Sequence, residues 1–121
     1  MKKILLALSG ASLLYSFSNL SMAADLDAGK AAFEKYTCAS CHGDDAKTSL
    51  SPTYPILAGQ HADYLKHALT AYRRGQAGAP SSANIRKNAI MGAMATPLTE
   101  EDIENLSAWL SSLPSPLAVR K

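Results

Sequence analysis

Thiols are scarce in this chain: two cysteines stand among 121 residues, too few for the disulfide framework that staples a core-poor secreted domain. Long apolar runs are scarce as well. The one apolar stretch, from Ile4 through Tyr15, is interrupted by Ser9, Gly10 and Ser12 and followed by Ser16 and Ser18, which argues against a retained membrane span. Internal repeats and low-complexity tracts are absent, and no segment reads as a convincing strand. Net charge is missing once the first residues are set aside: without Lys2 and Lys3 the 12 basic residues become ten, against 10 acidic ones. A chain with no net positive charge lacks the electrostatic footprint of a nucleic-acid binder. Nor does any acid–base pair or nucleophile stand out as the machinery of an enzyme.

What is present begins with a leader. Lys2 and Lys3 form a basic start, the apolar run opens at Ile4, and Ser21-Met22-Ala23 ends in a small-residue cleavage pattern. Residues 1–23 therefore read as a secretory signal peptide, cut after Ala23, with Ala24 as the alternative. No cysteine lies near the cut, so no lipid anchor is expected there. Residues 24–121 are enough for one domain and too few for two. Export places that domain in an oxidising compartment, such as a Gram-negative periplasm, where unpaired thiols become disulfides unless something else claims them.

Something does claim them. The two cysteines fall in Cys38-Ala39-Ser40-Cys41-His42, two thiols at i and i+3 with an imidazole directly after the second. This is the attachment pattern of a c-type haem. One helical turn sets the sulfurs about as far apart as the vinyl groups of a porphyrin, so each can form a thioether. His42 can then offer a neutral imidazole nitrogen to the iron. Other readings fit less well. A redox dithiol belongs in a βαβ setting, and a plain disulfide leaves His42 without a part. A zinc site with His61 and His67 needs a finger loop, yet 19 residues separate Cys41 from His61. The two histidines are also six apart on an expected helix, which points them to different faces.

Helical periodicity and punctuation organise the rest. A first helix is expected from Asp27, as N-cap, to about Tyr36, with Ala32 and Phe33 facing inward and Gly29 one turn before Phe33. Residues 44–59, punctuated by Pro52, Pro55 and Gly59, read as a loop that wraps the haem. A helix over His61 to Arg74 carries Leu65, Ala68, Leu69 and Tyr72 on one stripe, with Gly75 placed to stop it. A shorter helix is expected over Ala83 to Ile90, capped by Ser81 or Ser82. Thr99 caps the last helix, with Asp102 in a capping-box-like position and Glu100 and Glu101 at the positive end of the dipole. Ile103, Leu106, Leu110 and Leu113 form its inward stripe beside Trp109, and Pro114 ends it. The tail after Pro116 is expected to be loose.

The iron needs a second ligand, and Met91 and Met94 lie just before the last helix, where a loop could fold across the ring. A thioether there raises the reduction potential. His61 and His67 are the rival ligands. Charge is uneven along the mature chain: Lys66, Arg73, Arg74, Arg86 and Lys87 precede the cluster Glu100, Glu101, Asp102 and Glu104. Such groups are ordinarily solvated helix faces; their separation could also make a dipolar surface that orients a redox partner.

At this point the chain resembles the class I cytochromes c, in particular the single-haem relatives of the cytochrome c4 domain. The resemblance rests on Gly29 and Phe33, on Cys38-Ala39-Ser40-Cys41-His42-Gly43, and on Tyr54-Pro55-Ile56-Leu57-Ala58-Gly59-Gln60-His61. It extends to Met91 seven residues before Leu98, and to the helix opening Leu98-Thr99-Glu100-Glu101-Asp102-Ile103 with Trp109 beyond. It implies an all-α cytochrome c fold of four or so helices around one covalently attached haem c. The first and last helices would cross at Gly29, Phe33 and Trp109. The carbonyl of Pro55 would accept a hydrogen bond from the free ring nitrogen of His42, which orients the ligand. Met91 stands at the family's ligand position, and Gly92 after it offers backbone freedom to aim the sulfur; Met94 would line the haem edge. One motif instead of the two of cytochrome c4 means one haem.

The expected function is a periplasmic one-electron carrier, not an enzyme, passing electrons between unnamed redox partner proteins. The competing readings are a haem protein with an open distal site, gas-binding or peroxidase-like, and the cytochrome subunit of an oxidoreductase complex.

Overall fold

The computed structural model describes residues 23–116. Residues 1–22 of the expected leader and the tail over 117–121 lie outside them. Among the described residues there is no strand, and the chain runs through five helices: α1 (Leu26–Lys35), α2 (Ala39–His42), α3 (Ala62–Gln76), α4 (Ala89–Ala95) and α5 (Glu100–Ser112). A single 3-10 turn, Ser81–Ala83, lies between α3 and α4.

The first helix starts two residues earlier than its expected cap. Asp25, not Asp27, adopts the extended conformation of an N-cap, and its carboxylate accepts from the N–H groups of Asp27 and Ala28. Asp27 sits instead in the first turn, where its charge suits the dipole. Two aspartates at i and i+2 both answer the cap rule, and the choice is made from outside the helix. The N–H of Asp25 donates to Asn105 Oδ1 at 2.8 Å, 80 residues away on α5.

The end of α1 aims the haem motif. The N–H of Thr37 donates to Glu34 O and the N–H of Cys38 to Phe33 O, the paired bonds of a Schellman ending. Thr37 takes the left-handed position of that motif, with φ 53, where glycine is usual and a β-branched side chain is an outlier. The ending delivers Cys38 against the cluster that contains Phe33. Residues 38–42 then close one helical turn, α2.

α1 packs on α5, and α3 packs on both α4 and α5. At the α1–α5 crossing a Cβ on Gly29 would fall 2.2 Å from the carbonyl oxygen of Asn105 and 2.6 Å from Cβ of Trp109, so no larger residue fits. Beside that contact the rings of Phe33 and Trp109 lie 5.0 Å apart, tilted by 53°, within the favourable range for aromatic pairs. Ile103, Leu106 and Leu110 of α5 are buried as the stripe requires. Its first turn has the full capping box: Thr99 and Asp102 each bind the other's backbone N–H. Asp102 also accepts from Tyr36 Oη at 2.9 Å. Hydrogen bonds led by that from the Thr99 backbone hold its carboxyl below the usual aspartate range.

Two expectations are corrected between α3 and α5. Gly75 does not stop α3, which runs on to Gln76. Its missing side chain admits the backbone of Arg86, whose carbonyl oxygen would lie 2.1 Å from a Cβ at that position. Residues 84–88 are not helical: Asn84 is left-handed, Arg86 N–H donates to Ala71 O of α3, and Asn88 is extended. The short helix lies further on as α4, with Asn88 as its cap, accepting from the N–H of Met91. The charges that the sequence separates are partners in space. Lys66 pairs with Glu104 and Arg73 with Glu100, across α3 and α5, so the two groups partly cancel one another rather than forming opposite poles. Exposed pairs of this kind contribute at most about 1 kcal/mol each and serve mainly to register the helices.

Candidate functional site

A cavity of about 590 Å³ opens between α2, residues 53–57, α3 and α4, within the roughly 300–1,000 Å³ that enclose small-molecule ligands. Cys38, Cys41 and His42 of the motif line it, as do Met91 and Met94 of α4. Much of the remaining wall is apolar, with Phe33, Ile56, Leu65, Leu69 and Leu110 contributing to it. A second depression, open to solvent, lies over Ala39, Gly43, Asp44, Asp45 and Thr48, and neither the thiols nor the methionines line it.

Each side chain owes its place to a local device. His42 is 5% exposed, and its Nδ1 lies 3.0 Å from the carbonyl oxygen of Pro55. A carbonyl only accepts, so Nδ1 carries the proton and Nε2 keeps its lone pair. Nε2 makes no hydrogen bond among the described residues. The loop that supplies Pro55 is itself stapled: the carbonyl of Ala46 accepts from both Leu57 and Ala58, and Leu50 N–H donates back to Cys41 O. Asp45 fixes the turn between these contacts. Its carboxylate accepts from the N–H groups of Thr48 and Lys47 and from Thr48 Oγ1, bonds that hold its pKa at about 2. Residues 44–59 thus form the irregular wrap that the sequence suggests.

Cys38 and Cys41 are free and half-buried. Burial pushes the Cys38 thiol up, so it rests as a neutral thiol. Met91 and Met94 both reach the cavity, but from a helix, not a loop. Gly92 has no special conformation; α4 runs through it, and its bare face admits Gln76 of α3 at a distance where a Cβ would meet Oε1 at 2.6 Å. His61 and His67 are exposed. The zinc reading needs them beside Cys38 and Cys41, and neither histidine lines the cavity that the two thiols share.

The cavity also recruits residues that sequence reasoning passed over as site residues: Tyr64, Tyr72 and Arg86. The signal was partly there, because Tyr64, Ala68 and Tyr72 recur every four residues on α3 and so share a face. Arg86 had no such signal. It lies in the stretch expected to be helical, and only the fold turns it inward.

The chemistry of the wall fits a haem: two free thiols one turn apart, one imidazole nitrogen without a partner, two thioethers and an apolar lining. Comparison with known proteins points the same way. Residues 26–114 match the cytochrome c family. The chain is 42% identical over 76 residues to cytochrome c-554(548) of Halomonas halodenitrificans, covering 63% of this chain and 83% of that one. It is 34% identical over 79 residues to a protein of Stutzerimonas stutzeri named thiosulfate dehydrogenase electron acceptor, covering 65% of this chain and 32% of that one. Among solved structures, reduced cytochrome c4 from Pseudomonas stutzeri superposes with a TM-score of 0.65 at 36% identity, over 76% of this chain and 47% of that one. The chain thus spans under half of the cytochrome c4 it resembles and about a third of the acceptor.

Proposed function

The chain belongs to the cytochrome c family, whose members carry covalently attached haem c, and from that premise we propose that it is a periplasmic one-electron carrier with a single haem. Cys38 and Cys41 hold the haem, and His42 and Met91 ligate its iron. One observation supports this reading above the others: a buried imidazole with one nitrogen fixed and the other free shares a cavity with two thiols and two thioethers.

When bound, the haem supplies the redox chemistry, its iron alternating between ferric and ferrous. The protein's part is to hold and insulate. Pro55 keeps the proton on Nδ1, so His42 meets the iron as a neutral base and in one orientation. The apolar wall excludes water and lowers the local dielectric, which favours the less charged ferrous state. Between the methionines, Met91 is favoured by its family position seven residues before Leu98 and by the Asn88 cap that anchors its backbone N–H at 2.9 Å. Gly92 is an ordinary helical residue of α4 and gives the sulfur no added freedom. The relative named as a dehydrogenase's electron acceptor supports a donor of that class, an enzyme that releases electrons one at a time to a docked cytochrome.

The test is whether the colour is covalent. Purified from an exporting host, the denatured and acid-extracted protein is expected to retain its haem absorbance. Its mass should equal the chain from Ala24 or Asp25 plus one haem. Colour that leaves with the solvent refutes the assignment of Cys38 and Cys41. Carbon monoxide added to the reduced protein should leave the spectrum unchanged; a rapid, complete change would favour the open-site reading.

A further inference from the structure

Met91 stands in a sparsely supported turn of the cavity wall. Its helix, α4, has seven residues, too few to hold alone in water. The second half of α4 is fastened to the rest of the domain. Gly92 lies close against Gln76 of α3, Ala95 and Leu98 are buried, and Arg73 Nη1 donates to Leu98 O at 2.9 Å. Thr96 Oγ1 also donates to Gly92 O at 2.8 Å. The first half has no buried side chain: Ala89 is exposed, Ile90 is 58% exposed and Met91 is half-buried.

Asn88 holds that first turn. Its Oδ1 accepts from the N–H of Met91 at 2.9 Å, and its carbonyl accepts from the N–H of Gly92 at 2.8 Å. The N–H of Met91 is one of the donors that a helix start leaves without an intrahelical partner, so no backbone group of α4 replaces the side-chain bond. Asn88 is seated in turn: it is extended, two residues after Arg86, whose N–H donates to Ala71 O of α3. It also lines the cavity, as Met91 and Met94 do. Helices fray from their ends inward, and fraying from this end carries off Met91 before Met94, which lies one turn deeper.

We propose that Asn88 is the positioning residue of the axial methionine: its side chain sets how often Met91 leaves the iron, and so how often the sixth coordination position opens to a small ligand. The proposal rests on the haem reading above, with Met91 as the ligand. It joins the two readings of the distal side: the closed carrier is the capped state of α4, and the open site is its frayed state.

The experiment follows cyanide entering the intact ferric holoprotein, a probe that binds the iron only when the sulfur has left it. Local opening sets that rate, and loss of an asparagine cap shifts such an equilibrium by roughly two- to thirtyfold. Asn88→Ala should take up cyanide faster than the parent by that factor. Its near-infrared sulfur–iron band should also fade on warming before the helical signal does. Asn88→Ser keeps an oxygen at the cap and should return to near the parent's rate. Asp25→Ala removes the cap of α1 instead; it should lower overall stability and leave the cyanide rate near the parent's. Denaturing extraction and the near-infrared band report haem attachment and sulfur ligation directly, so failure of the haem reading shows in the parent itself. Asn88→Ala with the parent's cyanide rate overturns the proposal, and so does Asn88→Ser as fast as Asn88→Ala. Equal acceleration in Asp25→Ala also overturns it, by tracing the opening to the whole domain. Should Asn88→Ala not assemble, Asn88→Gln carries the amide one methylene past the cap; faster uptake is again expected, and an unmoved rate overturns the proposal.

Discussion

Met91 and Met94 stand one turn apart on α4 and both reach the cavity, so substitution separates what spacing cannot. Met91→Ala is expected to abolish the weak near-infrared band of a sulfur–iron bond, lower the reduction potential and open the iron to carbon monoxide. Met94→Ala should keep the band and lose about 2 kcal/mol of packing. Near-infrared absorption of the two ferric proteins checks both; the opposite pattern transfers the ligand to Met94. At this scale the sequence was legible where chemistry is local. Cys38, Cys41 and His42 fall within five residues, and their meaning lies in that spacing. Arg86 was not legible, because every contact that makes it part of the site comes from α3: Tyr64, Ala71, Tyr72 and Gly75. Its neighbours in sequence say nothing of them.

Helices that combine a cap with a buried stripe were legible from sequence, and α5 is the clearest of them. Its box, stripe and stop agree with one another, as they do in sequences whose local preferences match the fold. The crossing with α1 concentrates that agreement at one point. Trp109→Ala removes the partner of Phe33 over Gly29 and is expected to cost about 3–5 kcal/mol; Gly29→Leu should also destabilise by driving the helices apart. Urea melts of both variants against the parent decide it, and two unchanged midpoints would refute the crossing as a source of stability. The segment between α3 and α4 shows the limit. Ser81, Ser82 and Asn88 are all acceptable caps, and local rules favour no one of them. Packing of residue 86 on Gly75 keeps that stretch out of a helix and leaves Asn88 as the cap that is used.

At the scale of the whole domain, the described helices enclose a cavity of about 590 Å³ lined largely by apolar side chains, and a domain of this size depends on filling such a volume to complete its core. Cys38→Ala with Cys41→Ala is therefore expected to yield an exported chain without cooperative unfolding. Circular dichroism during heating checks this; a sharp transition like the parent's would show that the helices stand without that filling. The α1–α5 crossing carries one more consequence, for the order in which the protein is made. Asp25 binds Asn105, and Gly29 meets Trp109, contacts that do not exist until nearly the whole chain has emerged. The haem motif, by contrast, is complete within five consecutive residues. On the export proposed above, a chain threaded through a membrane N-terminus first would present its thiols in an open state until the last helix follows. Closure waits on the last helix, so the topology itself leaves an interval in which the cofactor can be fastened before the door shuts.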